Sequence, residues 1–203
     1  MLKVYGDVYS GNCYKLRLLL SQLEIPHVWQ HVDILGRETH TDAFLARNPN
    51  GKIPVLELDN GAGGREFLAE SGAILHYLAA GTPLIPTDRL AHARMLQWMF
   101  FEQYSHEPYV AVARYIVRYL GRPADKEAVL QQKMAPGYRA LDVMEQQLAR
   151  EDFFAGGHYS LADIALYGYT HVAEEGSFEL QRYPAIRAWL ARVQAQPGYV
   201  GMD

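Results

Sequence analysis

Two short stretches carry the residue types that chemistry needs. Asn48-Pro49-Asn50-Gly51-Lys52-Ile53-Pro54-Val55-Leu56-Glu57-Leu58 joins a chain reversal to a proline at the mouth of a strand. Asn, Pro and Gly set up the turn, and Val55 to Leu58 alternates apolar and polar as a half-buried strand does. Pro54 has no N–H to give a ladder, so it interrupts pairing and leaves the neighbouring backbone able to bond an extended peptide. A cis Ile53–Pro54 bond would mark that opening as a built feature. Twelve residues beyond Leu58, Glu70-Ser71 sets an acid and a hydroxyl at the start of a helical pattern. Two anchors at this spacing suit a small zwitterionic peptide.

These residues have to be positioned by elements that the periodicity defines. Leu2 to Tyr5 reads as a strand, and Gly6 to Gly11 as a polar loop. A helix follows, with Cys13, Leu16, Leu19, Leu20 and Leu23 recurring at three and four and an end near Glu24, before Pro26. Val28, Val32 and Ile34 share one parity of a second strand, and Asp42 to Ala46 forms a short helix stopped by Asn48-Pro49. The strand after Pro54 is third. Asp59 to Gly64 is a glycine-rich hairpin loop, Arg65 to Leu68 a fourth strand, and Ser71 to Ala80 a helix. Crossover helices imply parallel pairing at the start, and the hairpin implies an antiparallel pair at the end.

Gly81 to Asp88 contains two prolines and no helical period, so it reads as a linker. Everything beyond is helical: a long amphipathic stretch from Leu90 to Leu120 bent at Pro108, a second from Ala124 to Arg150 bent at Pro136-Gly137, and two more. Ser160-Leu161-Ala162-Asp163 opens one of these with a hydroxyl and an acid at capping-box spacing. Pro184 stands at the first turn of the last, ahead of Ile186, Trp189, Leu190 and Val193.

Composition narrows the function classes. The chain has 203 residues, 49% apolar and 21% charged, in the ordinary range of folded soluble proteins and enough for one or two modest domains. A net charge of −4, with no basic block interleaved with aromatics, argues against nucleic acid. The single cysteine, Cys13, excludes an internal disulfide and fits a reducing compartment. Met1 to Gly6 turns polar too early for a signal peptide, and no apolar run approaches membrane-spanning length, so the expectation is a cytoplasmic protein that does not engage a membrane.

The order of elements, the Asn-Pro-Asn-Gly-Lys-Ile-Pro-Val-Leu segment, the Glu70-Ser71 pair and the Ser160 cap together resemble the cytosolic glutathione transferase superfamily, over nearly the whole chain. One such motif is weak evidence, whereas three in order and at the right separation are specific. The resemblance is to the bacterial type, in its serine- or asparagine-motif classes. It implies an α/β thioredoxin-like N-terminal domain over residues 1–80, a linker over 81–88 and an all-α C-terminal domain over 89–203. It further implies a homodimer engaged in detoxification, with glutathione as co-substrate and no metal.

By the same resemblance, glutathione lies extended across the N-terminal domain. Ile53, ahead of Pro54, exchanges backbone hydrogen bonds with its cysteinyl residue, an instance of strand addition. Ser71 receives the γ-glutamyl carboxylate at a helix N-terminus, where the dipole favours negative charge, and Glu70 faces the γ-glutamyl ammonium. Lys52, or less directly His40, meets the glycyl carboxylate. The residue that activates the thiol lies in Tyr9-Ser10-Gly11-Asn12-Cys13-Tyr14-Lys15. Ser10 fits a Ser-x-x-x-x-Arg/Lys pattern ending at Lys15. Asn12 fits an Asn-Gly-x-Lys pattern, from which Cys13 departs. Tyr5 and Tyr9 compete as hydrogen-bond donors, Tyr5 with core packing as its alternative. Cys13 is either a thiol that forms a mixed disulfide or a small core residue, and its helical spacing favours the core.

The electrophile site is expected, again by resemblance, between that loop and the first long helix of the second domain, at Tyr9, Tyr104, His106, Arg114 and Tyr115. Tyr104, Pro108, Ala111 and Tyr115 recur at helical spacing, which equally describes an interhelical core. Arg114 either binds an acidic substrate or pairs with Glu107. The leading expectation is a glutathione transferase whose thiolate attacks electrophiles, with peroxide reduction among the reactions that begin this way. Glutathione-dependent isomerisation, disulfide reduction and a non-catalytic interaction module stand as alternatives.

Overall fold

A computed structural model describes residues 2–61 and 63–202 of the chain. They form two units, residues 2–80 with 197–202, and residues 81–196. The first has four strands, β1 (Leu2–Gly6), β2 (His27–His31), β3 (Val55–Asp59) and β4 (Arg65–Ala69), in the order β2-β1-β3-β4. With them are helices α1 (Gly11–Gln22), α2 (Asp42–Leu45) and α3 (Ser71–Leu78). The first crossover makes β1 and β2 parallel, as expected. The second, through α2, instead delivers β3 antiparallel to β1 on its other side, and the hairpin then pairs β4 antiparallel to β3.

Strand alternation sorts the core into two faces. Tyr5, Val55 and the half-buried Phe67 share one face with Phe44 of α2 and with Ile53. Val4 and Leu56 take the opposite parity and are fully buried, like Leu16 and Leu20 of α1 and Ile74 and Leu75 of α3, two helices that pack on each other. Tyr5 also donates its hydroxyl to Glu57, whose other oxygen meets Arg65 at 3.0 Å. Burial, then Glu57, raises the Tyr5 phenol above its ordinary pKa. β2 ends before Val32 and leaves Val28 exposed, because an edge strand has only one neighbour to cover it. Ile34 falls in the following loop rather than in a strand.

The first unit also takes up a later part of the chain, which the expected division at residue 89 does not allow for. Tyr14 donates its hydroxyl to the carbonyl of Val200 at 2.8 Å, Arg17 donates to that of Met202 at 2.8 Å, and the Met202 side chain is buried. Gly198 has φ 70°, and a Cβ there would come within 2.8 Å of the Gln22 backbone. Only glycine permits that approach.

The second unit comprises residues 81–88 and helices α4 (Arg89–Phe101), α5 (Glu107–Arg114), α6 (Glu127–Leu148), α7 (Leu161–Thr170) and α8 (Pro184–Gln194). Asp88 caps α4 by accepting from the N–H groups of Leu90 and Ala91. Where a bend at Pro108 was expected, α4 runs through a wide π turn, Glu102–His106, into α5, with Pro108 in the first turn of α5. A widened turn takes up the missing proline N–H without ending the helix. A second π turn, Tyr115–Tyr119, follows α5. α6 carries Pro136 inside one 22-residue span. Gly137 serves packing, since a Cβ there would lie 2.4 Å from the Phe178 ring. Among the described residues, no helix is long and apolar enough to cross a membrane.

Every residue of α7 is buried, and its start is held by the expected capping box of Ser160 and Asp163. Asp163 is fully buried and accepts four hydrogen bonds: from the N–H groups of Phe154 (3.2 Å) and Ser160 (3.0 Å), the Ser160 hydroxyl (3.1 Å) and the Trp189 indole (3.0 Å). One carboxylate therefore ties α7 to α8 and to the preceding loop. Burial pushes this carboxyl up to about 6, while the donors from Trp189, Phe154 and Ser160 pull the other way. Asp163→Ala strands several buried donors and should cost about 3 kcal/mol in urea unfolding, beyond an ordinary lost cap. The folded value lies above the ordinary carboxylate value of 3.8, so the Asp163 contribution is full below that pH and is lost as pH rises through about 6. The stability of wild type relative to Asp163→Asn should accordingly fall between pH 4 and 7, by up to ~3 kcal/mol.

Candidate functional site

Sheet topology brings the two opening motifs to the loop before α1. In register, Tyr5 pairs with Val55 and Val55 with Ala69. The C-terminal end of β1, the N-terminal end of β3 and the C-terminal end of β4 therefore form one row. Three chain segments leave the sheet there: the loop to α1, the Asn48-to-Pro54 turn and Glu70-Ser71.

The turn is built by Asn48, which is buried. Its Nδ2 donates to the Lys52 carbonyl at 2.7 Å, its Oδ1 accepts from the Asn50 N–H at 3.1 Å, and its carbonyl accepts from Gly51. Gly51 takes φ 63° to complete the reversal. The Ile53–Pro54 bond is cis, and Pro54 immediately precedes β3. Lys52 is exposed and Ile53 half-buried. Sequence reasoning missed Asn48, whose signal is an Asx turn closed on itself four residues later.

Glu70 stands before α3 with φ 67° and ψ 114°, a region that a non-glycine residue rarely occupies. Its side chain is exposed and makes no capping bond, so N-capping of α3 does not explain it. Such a conformation costs on the order of 1–3 kcal/mol and is characteristic of ligand clamps. Ser71, the first residue of α3, is buried beside it.

In the loop to α1, Asp7 is the organiser. Its carboxylate accepts from the Tyr9 N–H at 2.7 Å and its carbonyl from the Ser10 N–H at 3.1 Å. Ser10 caps α1, its hydroxyl accepting from the Cys13 N–H at 3.4 Å. Asn12 lies in the first turn of α1, and its Oδ1 accepts from Lys15 Nζ at 2.7 Å and from the Ser71 hydroxyl at 3.3 Å. The structure thus brings Asn12 and Ser71 together. Lys15, only 1% exposed, is the residue that sequence reasoning left out of the site. Its signal was a cation among the apolar residues between Cys13 and Leu20, where Arg17 is the other.

Cys13 is fully buried, its sulfur tight under Gly6, where an added Cβ would lie 2.6 Å away. Burial pushes its thiol up to about 12, against smaller pulls from the Ser10 hydroxyl and the Asp7 backbone. It packs as a core residue. Tyr5 does likewise, whereas Tyr9 is exposed. His40 is exposed, its Nδ1 2.9 Å from the Thr39 hydroxyl.

The four residues of the second unit expected to form an aromatic, partly basic wall do not share a face. Tyr104 is 85% exposed and Tyr115 is exposed, but His106 and Arg114 point inward. His106 Nε2 lies 3.1 Å from the Thr170 hydroxyl, and Arg114 Nε donates to Glu175 at 2.8 Å. The π turn at Glu102–His106 shifts the helical register between Tyr104 and Arg114, which spacing on an ideal helix does not anticipate. Among the described residues, no group of three or more His, Cys, Asp or Glu is placed to hold a metal.

Comparison with known proteins follows the same lines. Residues 9–80 match the model of the glutathione S-transferase N-terminal domain, and residues 95–197 that of the C-terminal domain. The chain belongs to the glutathione S-transferase family. Glutathione S-transferase 3 of Zea mays is 30% identical over 208 residues, covering 98% of this chain and 91% of that protein. The disulfide-bond oxidoreductase YfcG of Escherichia coli (strain K12) is 28% identical, covering 94% and 91%. The crystal structure of a glutathione S-transferase from Pseudomonas fluorescens Pf-5 superposes with a TM-score of 0.95 at 56% identity, covering 99% of this chain and 98% of that one. A glutathione transferase from Burkholderia graminis, with two glutathione molecules bound per subunit, gives 0.83 at 29%, covering 97% and 85%.

Two outcomes test this geometry. Glu70→Gly removes the backbone strain and should raise unfolding free energy by about 1 kcal/mol in urea, where most glycine substitutions lower it. A chromogenic disulfide reagent at pH 8 should leave Cys13 unmodified in the native protein and titrate one thiol per chain in denaturant; rapid native reaction would show the sulfur to be accessible.

Proposed function

We propose that this chain is a glutathione transferase that ionises the glutathione thiol and directs it at electrophiles. The observation that carries this is the Asn12–Ser71 contact, which joins the first turn of α1 to the start of α3 at one end of the sheet. Adjacent strands lie ~4.8 Å apart, so the three strand ends span about 10 Å, the reach of an extended tripeptide at ~3.4 Å per residue. The ligand would lie along that row. Ile53 would pair with the cysteinyl backbone. Ser71 would bind the γ-glutamyl carboxylate through its own N–H and the neighbouring N–H groups at the start of α3, its hydroxyl staying on Asn12, and Glu70 would bind the ammonium. Lys52 is exposed near the other end for the glycyl carboxylate, with His40 as the weaker candidate.

Activation requires a donor to the sulfur. Ser10 accepts the Cys13 N–H at the cap of α1 and keeps its O–H as a donor, whereas Asn12 is linked to Ser71 across the strand ends and has an amide NH2 to give, so Asn12 is the favoured activator and Ser10 the second candidate. A donor beside a helix N-terminus stabilises thiolate over thiol. The thiolate then attacks the electrophilic atom, and the displaced group or a proton from solvent balances the charge. Tyr9, exposed in the same loop, is the aromatic this reading keeps for the electrophile. Homodimeric assembly and a cytoplasmic setting belong to the same reading on family grounds.

Likeness to YfcG favours one further reading, glutathione-dependent disulfide reduction. There the glutathione thiolate attacks a disulfide sulfur, forming a mixed disulfide and releasing the other half as a thiol. Buried Cys13 is not the nucleophile in either case.

Ultraviolet difference titration of bound glutathione tests the common step. The bound thiol should ionise about one unit or more below the free value of ~8.5. Asn12→Ala should return it toward that value, with Ser10→Ala doing so less. No binding, or a bound thiol no more acidic than the free one, overturns the proposal. Parallel assays with an activated aryl halide and a small symmetrical disulfide separate conjugation from reduction.

A further inference from the structure

We propose that Lys15 is a positioning residue, its ammonium fixing which end of the Asn12 amide meets the glutathione sulfur. The inference rests on the reading of Asn12 as activator. An asparagine amide has one end that accepts and one that donates, and a half-turn about its last bond exchanges them. Only the donating end stabilises a thiolate; the oxygen end would repel it. The rotamer of Asn12 therefore decides the sign of its effect.

The structure supplies what sets that rotamer. Lys15 stands three residues after Asn12 on the first turns of α1, so the two side chains share a helix face. Lys15 Nζ donates to Asn12 Oδ1 at 2.7 Å, a charge-assisted bond, and the Ser71 hydroxyl donates to the same oxygen at 3.3 Å. Two donors on Oδ1 use both of its lone pairs. Turning the amide over would set its NH2 group against an ammonium that carries donors only. With Lys15 1% exposed, water does not screen that repulsion. Burying an ammonium is costly, and α1, otherwise buried through side chains such as Leu16, Leu18 and Leu19, has no packing need for one. The cost is consistent with a functional demand on Asn12.

Direct charge is the competing role, since a cation in this loop would also favour a thiolate. The two differ in how they combine with Asn12: a positioning residue has no effect once Asn12 is gone, and a direct charge keeps its effect.

Glutathione-saturated protein would be titrated by ultraviolet difference for wild type, Lys15→Met, Lys15→Arg, Asn12→Ala and the Lys15→Met/Asn12→Ala double variant. Lys15→Met should raise the bound thiol pKa by about one unit, roughly tenfold less thiolate at neutral pH. Lys15→Arg, which keeps a cationic donor, should recover most of that loss. The double variant should match Asn12→Ala alone. An unchanged thiol in Lys15→Met, or an equal shift with and without Asn12, overturns the positioning role while leaving Asn12 as activator. An unchanged thiol in Asn12→Ala sinks the underlying reading instead. Should Lys15→Met fail to fold, the wild type provides the test: nitrogen-15 NMR of the Asn12 side-chain amide should follow the ionisation of bound thiol. An amide signal that ignores that titration would also overturn the proposal.

Discussion

The register that sets Tyr5 beside Val55 and Val55 beside Ala69 is the constraint on which the site depends. Because β3 runs against both β1 and β4, the end of β1, the start of β3 and the end of β4 coincide. No long-range side-chain contact is needed to assemble the three segments; backbone pairing does it. A slip of one residue in β3 would turn Glu57 away from Tyr5 and carry Ile53 to the other face. The Tyr5–Glu57–Arg65 chain across three strands therefore also specifies register, since only one pairing satisfies the buried carboxylate.

Each unit has a polar junction that joins two of its helices. In the second, Asp163 gathers four donors and fixes α7 to α8 and the preceding loop. In the first, the Asn12 oxygen gathers two and fixes α1 to α3. The Asp163 junction is fully enclosed. The Asn12 junction borders the exposed Glu70 and Tyr9. Satisfied polar networks in low-dielectric surroundings hold geometry more tightly than apolar packing does. That suits one to stability and the other to the orientation of a reacting group.

Much of this was legible from the chain because the signals were local. Pro54, Gly51 and the pair Glu70-Ser71 declare themselves through backbone restrictions that act within four residues. Ser160 and Asp163 do so through a cap. What escaped depended on neighbours distant in sequence. β2 could not be bounded, because an exposed edge strand lacks clean alternation. Antiparallel β3 could not be foreseen from a crossover helix only one turn long. Lys15 entered only as the last residue of a motif, and its burial shows only in three dimensions. His106 and Arg114 looked like wall residues because helical spacing was counted through a π turn. Glu70 does stand at the start of α3, but its strained backbone is invisible without coordinates.

Residues 197–202 pack within the first unit, through Tyr14, Arg17 and Gly198, although the whole second unit separates them from it in sequence. The unit that carries the candidate glutathione site is thus not a continuous piece of chain. During synthesis, residues 2–80 emerge first and must wait for more than a hundred further residues before α1 receives its last partners. Completion of α1 is then timed by translation: its cap at Ser10 and its first turn at Asn12 gain their full support only after the helical unit has been made.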